Sequence, residues 1–350
     1  MSLSFFVVLI AFIPWSTATF DIDNATNAVG ICYSVWHSLS YIGSPPPDIT
    51  QIEQGDGSFA PQGAWHFWGR PDGGYYGGGD RSVLDRHFSQ ISGAGIDFIV
   101  IDATNLQGYG GYTPGLFTEP TDVLLDEMNS KRAAAMNTPY VVFWIGTAST
   151  DVDPSAVGRF VQDRYYSNST YANLWVTYEG KPLLLTTDTL PSELAGYFTL
   201  RKMWGLQTSL ANEEWSFLQD VPQNIGTMDG IAEEISVCVA KQATYISDKV
   251  TATSREQGQT FAAQWAKAFD IHPEVVMRTW WNEWMAQRQA NDANGNPQFV
   301  DEYDSEYSRD IEPQDPTQVT GHGSKYLDWT TEYISAYKAN QEIPTGLTGY

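Results

Sequence analysis

The segments Phe98-Ile-Val-Ile101 and Tyr140-Val-Val-Phe-Trp144 are unbroken apolar runs of strand-like composition. A strand with one wet face alternates apolar and polar side chains, whereas one covered on both faces has no place for the polar ones. Such runs call for a parallel sheet wrapped by helices rather than a sandwich. Strand-like runs cover 29–36, 96–102, 140–146, 182–187, 200–206, 215–219, 235–240 and 275–283. Helical periodicity falls between and after them, at 82–92, 121–136, 154–165, 192–197, 258–269 and 324–339, and it is weakest after the fifth and sixth strands. Eight strands with helical crossovers predict a closed (β/α)8 TIM barrel over 20–350, folded as a single domain. Two long loops, 37–79 and 285–323, follow strands and therefore belong on the C-terminal face, where barrel sites are built.

The chain opens on an uncharged apolar stretch, 5–15, followed by Ser16-Thr17-Ala18-Thr19. It is too short to span a bilayer comfortably and suits a secretory signal peptide over 1–19. Export to the extracellular space is expected, and the sequons at Asn24 and Asn168 are then surface glycosylation sites. Cys32 and Cys238 both lie in apolar runs, and their spacing leaves open whether they are bonded or are two buried thiols. No Cys or His spacing suits zinc, so neither metal nor cofactor is expected. The loop 299–313 is dense in carboxylates but lacks the central glycine of a calcium loop.

A formal net charge of −23 opposes nucleic acid, acidic membranes and acidic polymers as partners. It leaves a neutral or partly basic ligand. With 13 Trp and 19 Tyr the chain carries more aromatic rings than its core requires, as a groove for neutral glycans would. A monomer acting on a polysaccharide or oligosaccharide is the expectation.

In a barrel, a polar residue that ends an apolar strand points to the catalytic face. Here the strands end in Trp36-His37, in Asp102 with Thr104 and Asn105 beyond it, in Thr187-Asp188, in Gln219-Asp220, and in Asn282-Glu283. Glycoside hydrolysis needs two carboxyl groups, one donating a proton to the leaving oxygen, the other acting as nucleophile or as base toward water. Glu283 is the first choice, because the indoles of Trp281 and Trp284 disfavour its charged form and raise its pKa. Asp102 is the first choice for its partner, with Asp220 and Asp188 in reserve. Asn282 is placed to hold a hydroxyl beside the reacting carbon, and His37 to bind one. The segment Trp65-His-Phe-Trp68 through Tyr76 offers Trp68 and Tyr76 as stacking rings, Trp36, Trp281 and Trp284 offer further ring faces for a sugar, Asn105 and Asp188 offer polar groups to bind it, and the acidic loop offers Tyr303, Tyr307 and Arg309 near the cleft.

Taken together, Trp36-His37, Phe67-Trp68-Gly69 through Gly74-Tyr-Tyr76, Ala94-Gly-Ile-Asp-Phe-Ile-Val-Ile-Asp102 and Trp281-Asn-Glu-Trp284 resemble glycoside hydrolase family 99 and related barrel glycosidases. The resemblance spans about 37–313 and implies a (β/α)8 barrel and endo-action on a polysaccharide. Members of that family carry a Glu-Trp-His-Glu element with two catalytic glutamates. In this chain Glu283-Trp284 is followed by Met285-Ala286, so the second glutamate is absent and the partner carboxylate must come from another strand. The same departure keeps a second expectation open, a carbohydrate-binding barrel that does not hydrolyse. A third is a polysaccharide lyase using Tyr and His, which the acidic charge opposes.

Overall fold

The computed structural model describes residues 19–37, 47–106, 114–146, 153–187, 189–190 and 192–347. The segment assigned to a signal peptide lies outside them, apart from Thr19, and so does Asp188. Eight parallel strands form the centre: β1 (Ala28–Tyr33), β2 (Phe98–Ala103), β3 (Tyr140–Ile145), β4 (Lys181–Thr186), β5 (Thr199–Gly205), β6 (Glu214–Leu218), β7 (Ile231–Val237) and β8 (Val275–Arg278). Parallel ladders join β1 to β2, β2 to β3, β3 to β4, β4 to β5 and β5 to β6, and in the other direction β1 to β8 and β8 to β7. This is the strand order of a (β/α)8 fold.

Between β6 and β7 no ladder forms among the described residues. Their seam is bridged by a side chain: Glu234 on β7 accepts from the backbone N–H of Ser216 on β6 at 3.0 Å. The next residue back, Glu233, ties three strands together. It takes the Arg201 guanidinium of β5 (Nε to Oε2, 2.9 Å) and the Trp215 indole N–H of β6 (2.9 Å). Burial pushes the Glu233 carboxyl up, but the hydrogen bonds from Arg201, Trp215 and Tyr178 outweigh it and hold the group below the ordinary value.

Two apolar layers follow from the strand period of two. Cys32, Phe98, Val100, Val142, Leu183, Leu185, Met203, Trp215 and Met277 fill the barrel interior. Their neighbours Val29, Ile31, Ile99, Ile101, Val141, Phe143, Leu184 and Val276 face outward onto the helices. Cys32 and Cys238 are buried free thiols. At Gly30 the ring of Phe98 comes so close that an added Cβ would meet it at 2.3 Å, so glycine there lets an aromatic fill the barrel floor.

The covering helices are α1 (Arg81–Gly93), α2 (Glu119–Ala133), α3 (Pro154–Val161), α4 (Ser192–Tyr197), α5 (Gln259–Ile271) and α6 (Lys325–Lys338). Asp80 and Asp153 cap α1 and α3, accepting from Ser82 N–H and Ser155 N–H at 2.9 Å each. No helix follows β5 or β6 among the described residues, in keeping with the weak periodicity there. On β5, Lys202 and Trp204 are exposed. No helix among the described residues is long and apolar enough to cross a membrane. Asn24 is exposed, and Asn168 is half-buried and caps a short 3-10 turn, Ser169–Tyr171, through its own side chain.

Candidate active site

The eighth strand stops at Arg278, five residues short of the expected end, and that early stop builds the site. Beyond Arg278 the chain is held by its neighbours: Thr279 N–H donates to Val237 O at 3.1 Å and Trp281 N–H to Cys32 O at 2.8 Å. The acidic loop then returns alongside, with Ile311 N–H on Trp280 O (3.2 Å) and Glu312 N–H on Trp281 O (2.9 Å). The first long loop, 37–79 (loop one), closes the other flank through an antiparallel pair, Trp65–Phe67 on Met285–Gln287. Glu283 is therefore held between three segments, its backbone N–H donating to Asp310 Oδ1 at 2.6 Å.

A cleft of about 770 Å³ opens on this face, within the ordinary range for small-molecule sites. Among its lining residues are Trp36, Asp102, Asn105, Glu283 and Arg309, all nominated from the sequence. The structure adds Trp65, Trp144, Trp204, Phe217, Tyr245 and Trp280 as aromatic walls, and Asp301 as a third inner carboxylate. Trp204 is 46% exposed and Tyr245 63% exposed, so their faces are available at the rim. Phe217 enters because the β5–β6 register shifts by one residue beside it, and Gly205 leaves room for its ring.

Several other nominated residues are placed as support instead. Trp68 and Trp284 stack on one another at 4.2 Å with planes 12° apart, both fully buried, and their indole N–H groups donate to Asp310 (2.8 Å) and Glu312 (2.6 Å). Trp281 packs in the outer layer against His87. Asn282 holds loop one, accepting from Ser34 N–H (2.8 Å) and donating to Ser34 O (3.0 Å) and the Tyr76 hydroxyl (3.2 Å). The Tyr76 hydroxyl donates to Glu312 (2.6 Å), and the Tyr303 hydroxyl to Glu53 (2.6 Å). Tyr307 packs beside Tyr303, edge to face. His37 is buried behind Trp36, stacked on it at 5.9 Å, and burial lowers its pKa to about 4, which leaves a neutral ring. Asp220 does not join the cleft: its side chain is 79% exposed and pairs with Lys241.

The electrostatic centre is Arg309. Its Nη2 is ion-paired with Glu283 and lies 3.8 Å from Asp301 Oδ1, while its Nε is 3.1 Å from Glu302. The guanidinium rests over the rings of Trp280 (4.4 Å) and Phe217 (5.4 Å). One buried cation cannot neutralise this many carboxylates. Burial pushes the Glu283 carboxyl well above the ordinary value; Arg309 pulls it back, and Asp301, Glu302 and Asp310 push it up again. Burial likewise raises Asp102, against the hydrogen bonds its Oδ1 accepts from Thr104 N–H (2.9 Å) and Oγ1 (2.8 Å). Asp301 is raised by burial, with Arg309 opposing and Asp102 reinforcing the shift. Glu312, by contrast, lies below the ordinary value, because the His87 ring and the donors of Tyr76 and Trp284 outweigh its burial.

A pH dependence follows from these directions. Asp310 is raised to about 6 by burial, against about 4 for an unfolded aspartate. The folded state then holds the extra proton between those values, so its contribution to stability is present at low pH and lost as pH rises through about 4 to 6. Raised Glu283, Glu302, Asp301 and Asp102 act in the same sense. Depressed Glu312 and Glu233 act oppositely, losing their contribution as pH falls below the ordinary glutamate value. Urea unfolding should therefore show greater stability near pH 5 than at pH 7, by on the order of 1 kcal/mol from Asp310 alone. A flat or rising profile from pH 5 to 7 contradicts this charge arrangement.

The whole barrel superposes on solved structures. The endo-alpha-mannosidase of glycoside hydrolase family 99 from Bacteroides thetaiotaomicron matches with a TM-score of 0.54 at 12% identity, over 93% of this chain and 100% of that one. The same enzyme in complex with bis-tris-propane gives a TM-score of 0.56 at 12% identity, over 92% and 99%. The fold is family 99-like. At that identity the likeness extends to architecture, a mostly parallel sheet with surrounding helices. No protein-family model matches the chain, and no curated protein does either. On this family 99-like frame Glu283 lies just beyond β8, and the further carboxylates of the cleft come from other segments, Asp102 from β2 and Asp301 from the acidic loop.

Proposed function

We propose that this protein is a secreted glycoside hydrolase that cleaves a neutral or partly basic polysaccharide, with Glu283 and Asp102 as the carboxyl pair. One observation carries the reading: two buried carboxyl groups with raised pKa, contributed by different strand exits, line one aromatic cleft on the C-terminal face of the barrel. Burial keeps a fraction of such groups protonated at mildly acidic pH, as a general acid requires. The indole and phenyl walls suit the C–H faces of pyranose rings, and the open rim at Trp204 and Tyr245 suits a chain passing through, which fits endo-action. The similar solved structures are of an endo-alpha-mannosidase, and that likeness in fold supports the same reaction class.

The unmutated protein, incubated with a panel of neutral and amino-sugar polysaccharides, should release new reducing ends. Binding of oligosaccharide with no reducing ends released would instead establish a carbohydrate-binding barrel. That second reading draws on the ion pair between Arg309 and Glu283, which occupies one oxygen of the proposed acid. Lyase chemistry has less support, because no histidine is among the described residues lining the cleft.

Trp204→Ala should weaken oligosaccharide binding about fivefold, the loss of roughly 1 kcal/mol of ring contact, with unfolding unchanged because the ring is half exposed. Calorimetric titration reads the affinity and a thermal scan the unfolding. Undiminished affinity removes Trp204 from the binding surface.

A further inference from the structure

The cleft contains three inner carboxylates, Glu283, Asp102 and Asp301, where cleavage of a glycosidic bond uses two. Resting on the hydrolase reading above, we propose that the third, Asp301, receives a protonated amine, and that the substrate is a glycan carrying unacetylated 2-amino-2-deoxy sugars.

Charge counting is the first support. The lining holds four carboxylates, Asp102, Glu214, Glu283 and Asp301, and two cations. Lys202, 49% exposed, pairs with Glu214 at 3.4 Å, and Arg309 is 2% exposed among Glu283, Asp301 and Glu302, so the inner carboxylates share one buried guanidinium. An ammonium group entering this space relieves repulsion between Asp102 and Asp301 and passes over aromatic faces that attract cations.

The second support is independent of charge. Gln242 lines the cleft, is 3% exposed, and donates its Nε2 to Asp301 Oδ1 at 3.2 Å, while its Oε1 has no hydrogen-bond partner among the described residues. Exchanging the amide oxygen and nitrogen would set an acceptor against a carboxylate, so this orientation is the one the neighbour dictates. An unmet acceptor beside a carboxylate asks for a group with several N–H donors, and an ammonium has three. The unmet donors of the lining, Trp36 Nε1 and Arg309 Nε and Nη1, ask only for hydroxyl oxygens, which every sugar has. Acceptors, not donors, therefore discriminate here.

Third, Asp301 is held in a left-handed backbone conformation, φ 62°, uncommon for a residue with a side chain. Its N–H donates to Tyr245 O at 3.1 Å, and the flanking strand Phe299–Val300 pairs with Ile246–Ser247. Strain of this kind persists where surroundings impose it, and here it points the carboxylate into the cleft.

The test is calorimetric binding of glucosamine and galactosamine oligomers against their N-acetylated counterparts, at low salt, with the unmutated protein, D301N and E283Q. We expect at least one aminated oligomer to bind about tenfold more tightly than its acetylated counterpart, an effect of a charge-assisted hydrogen bond. D301N should abolish the preference while retaining binding of the acetylated form, and E283Q should keep it. The proposal is overturned if neither aminated series is preferred, or if D301N retains the preference. Because the readout is binding, it stands apart from cleavage: a protein that prefers amines but releases no reducing ends would refute the hydrolase reading alone.

Discussion

Glu283→Gln is expected to lower reducing-end release by about a thousandfold, within the range that a positioned acid or base supplies, while oligosaccharide binding stays near that of the unmutated protein. The substitution is a narrow one in this setting. Glutamine retains an oxygen toward Arg309, and the backbone N–H of residue 283 still donates to Asp310. What disappears is the ability to release or accept a proton, or to attack carbon, so a loss in rate without a loss in affinity isolates the chemical step. Parallel calorimetry and a reducing-sugar assay on E283Q provide the comparison. Full turnover by this variant would remove Glu283 from the reaction.

Arg309→Met should cost about 3–5 kcal/mol of folding stability at pH 7, the usual penalty for removing one partner from a buried ion pair. The size follows from the number of dependants. Glu283 is almost fully buried, Glu302 and Asp310 are fully buried, and Asp301 shares the same guanidinium. Without it these carboxyl groups must take up protons or repel one another, and the stacking on Trp280 loses its cation. The deficit should therefore be smaller at pH 5 than at pH 7, where the raised carboxyls are being forced to ionise. Urea titrations at both pH values measure this, and a loss below about 1 kcal/mol at pH 7 would show that the cluster is held by packing instead.

The barrel was legible because unbroken apolar runs such as Phe98 to Ile101 have few places to go other than a doubly covered sheet. Asp102, near the end of β2, and Glu283, five residues past β8, both line the cleft, because polar residues that follow buried strands open onto that face. Adjacent aromatics were harder. Met277 faces inward and Arg278 outward, but the alternation breaks after the strand stops, so Trp280 turns into the cleft and Trp281 into the outer layer. A one-residue change of phase exchanges the two indoles, and nothing in Trp280-Trp281 marks it. Trp68 and Trp284 similarly read as sugar platforms, yet they stack on each other, since two large rings on paired loops gain more by mutual burial. Asp301 sits in a loop with many carboxylates, and its distinguishing mark is a backbone angle, which composition does not carry. Asp188 lies outside the described residues.

The Glu234 bridge between β6 and β7 gives the cylinder an unequal wall. Seven of its junctions are ladders of backbone bonds, and the eighth is held by side chains, the Glu234 carboxyl on Ser216 N–H and the Glu233 carboxylate on the Trp215 indole. Such a vessel has a built-in line of parting. Slow amide exchange should run unbroken around the cylinder and falter along that line, so local opening there need not wait for the whole barrel to unfold. The parting line runs along β6, one of the two strands after which no helix follows among the described residues, so the wall that carries Phe217 into the cleft is also the most yielding part of its frame.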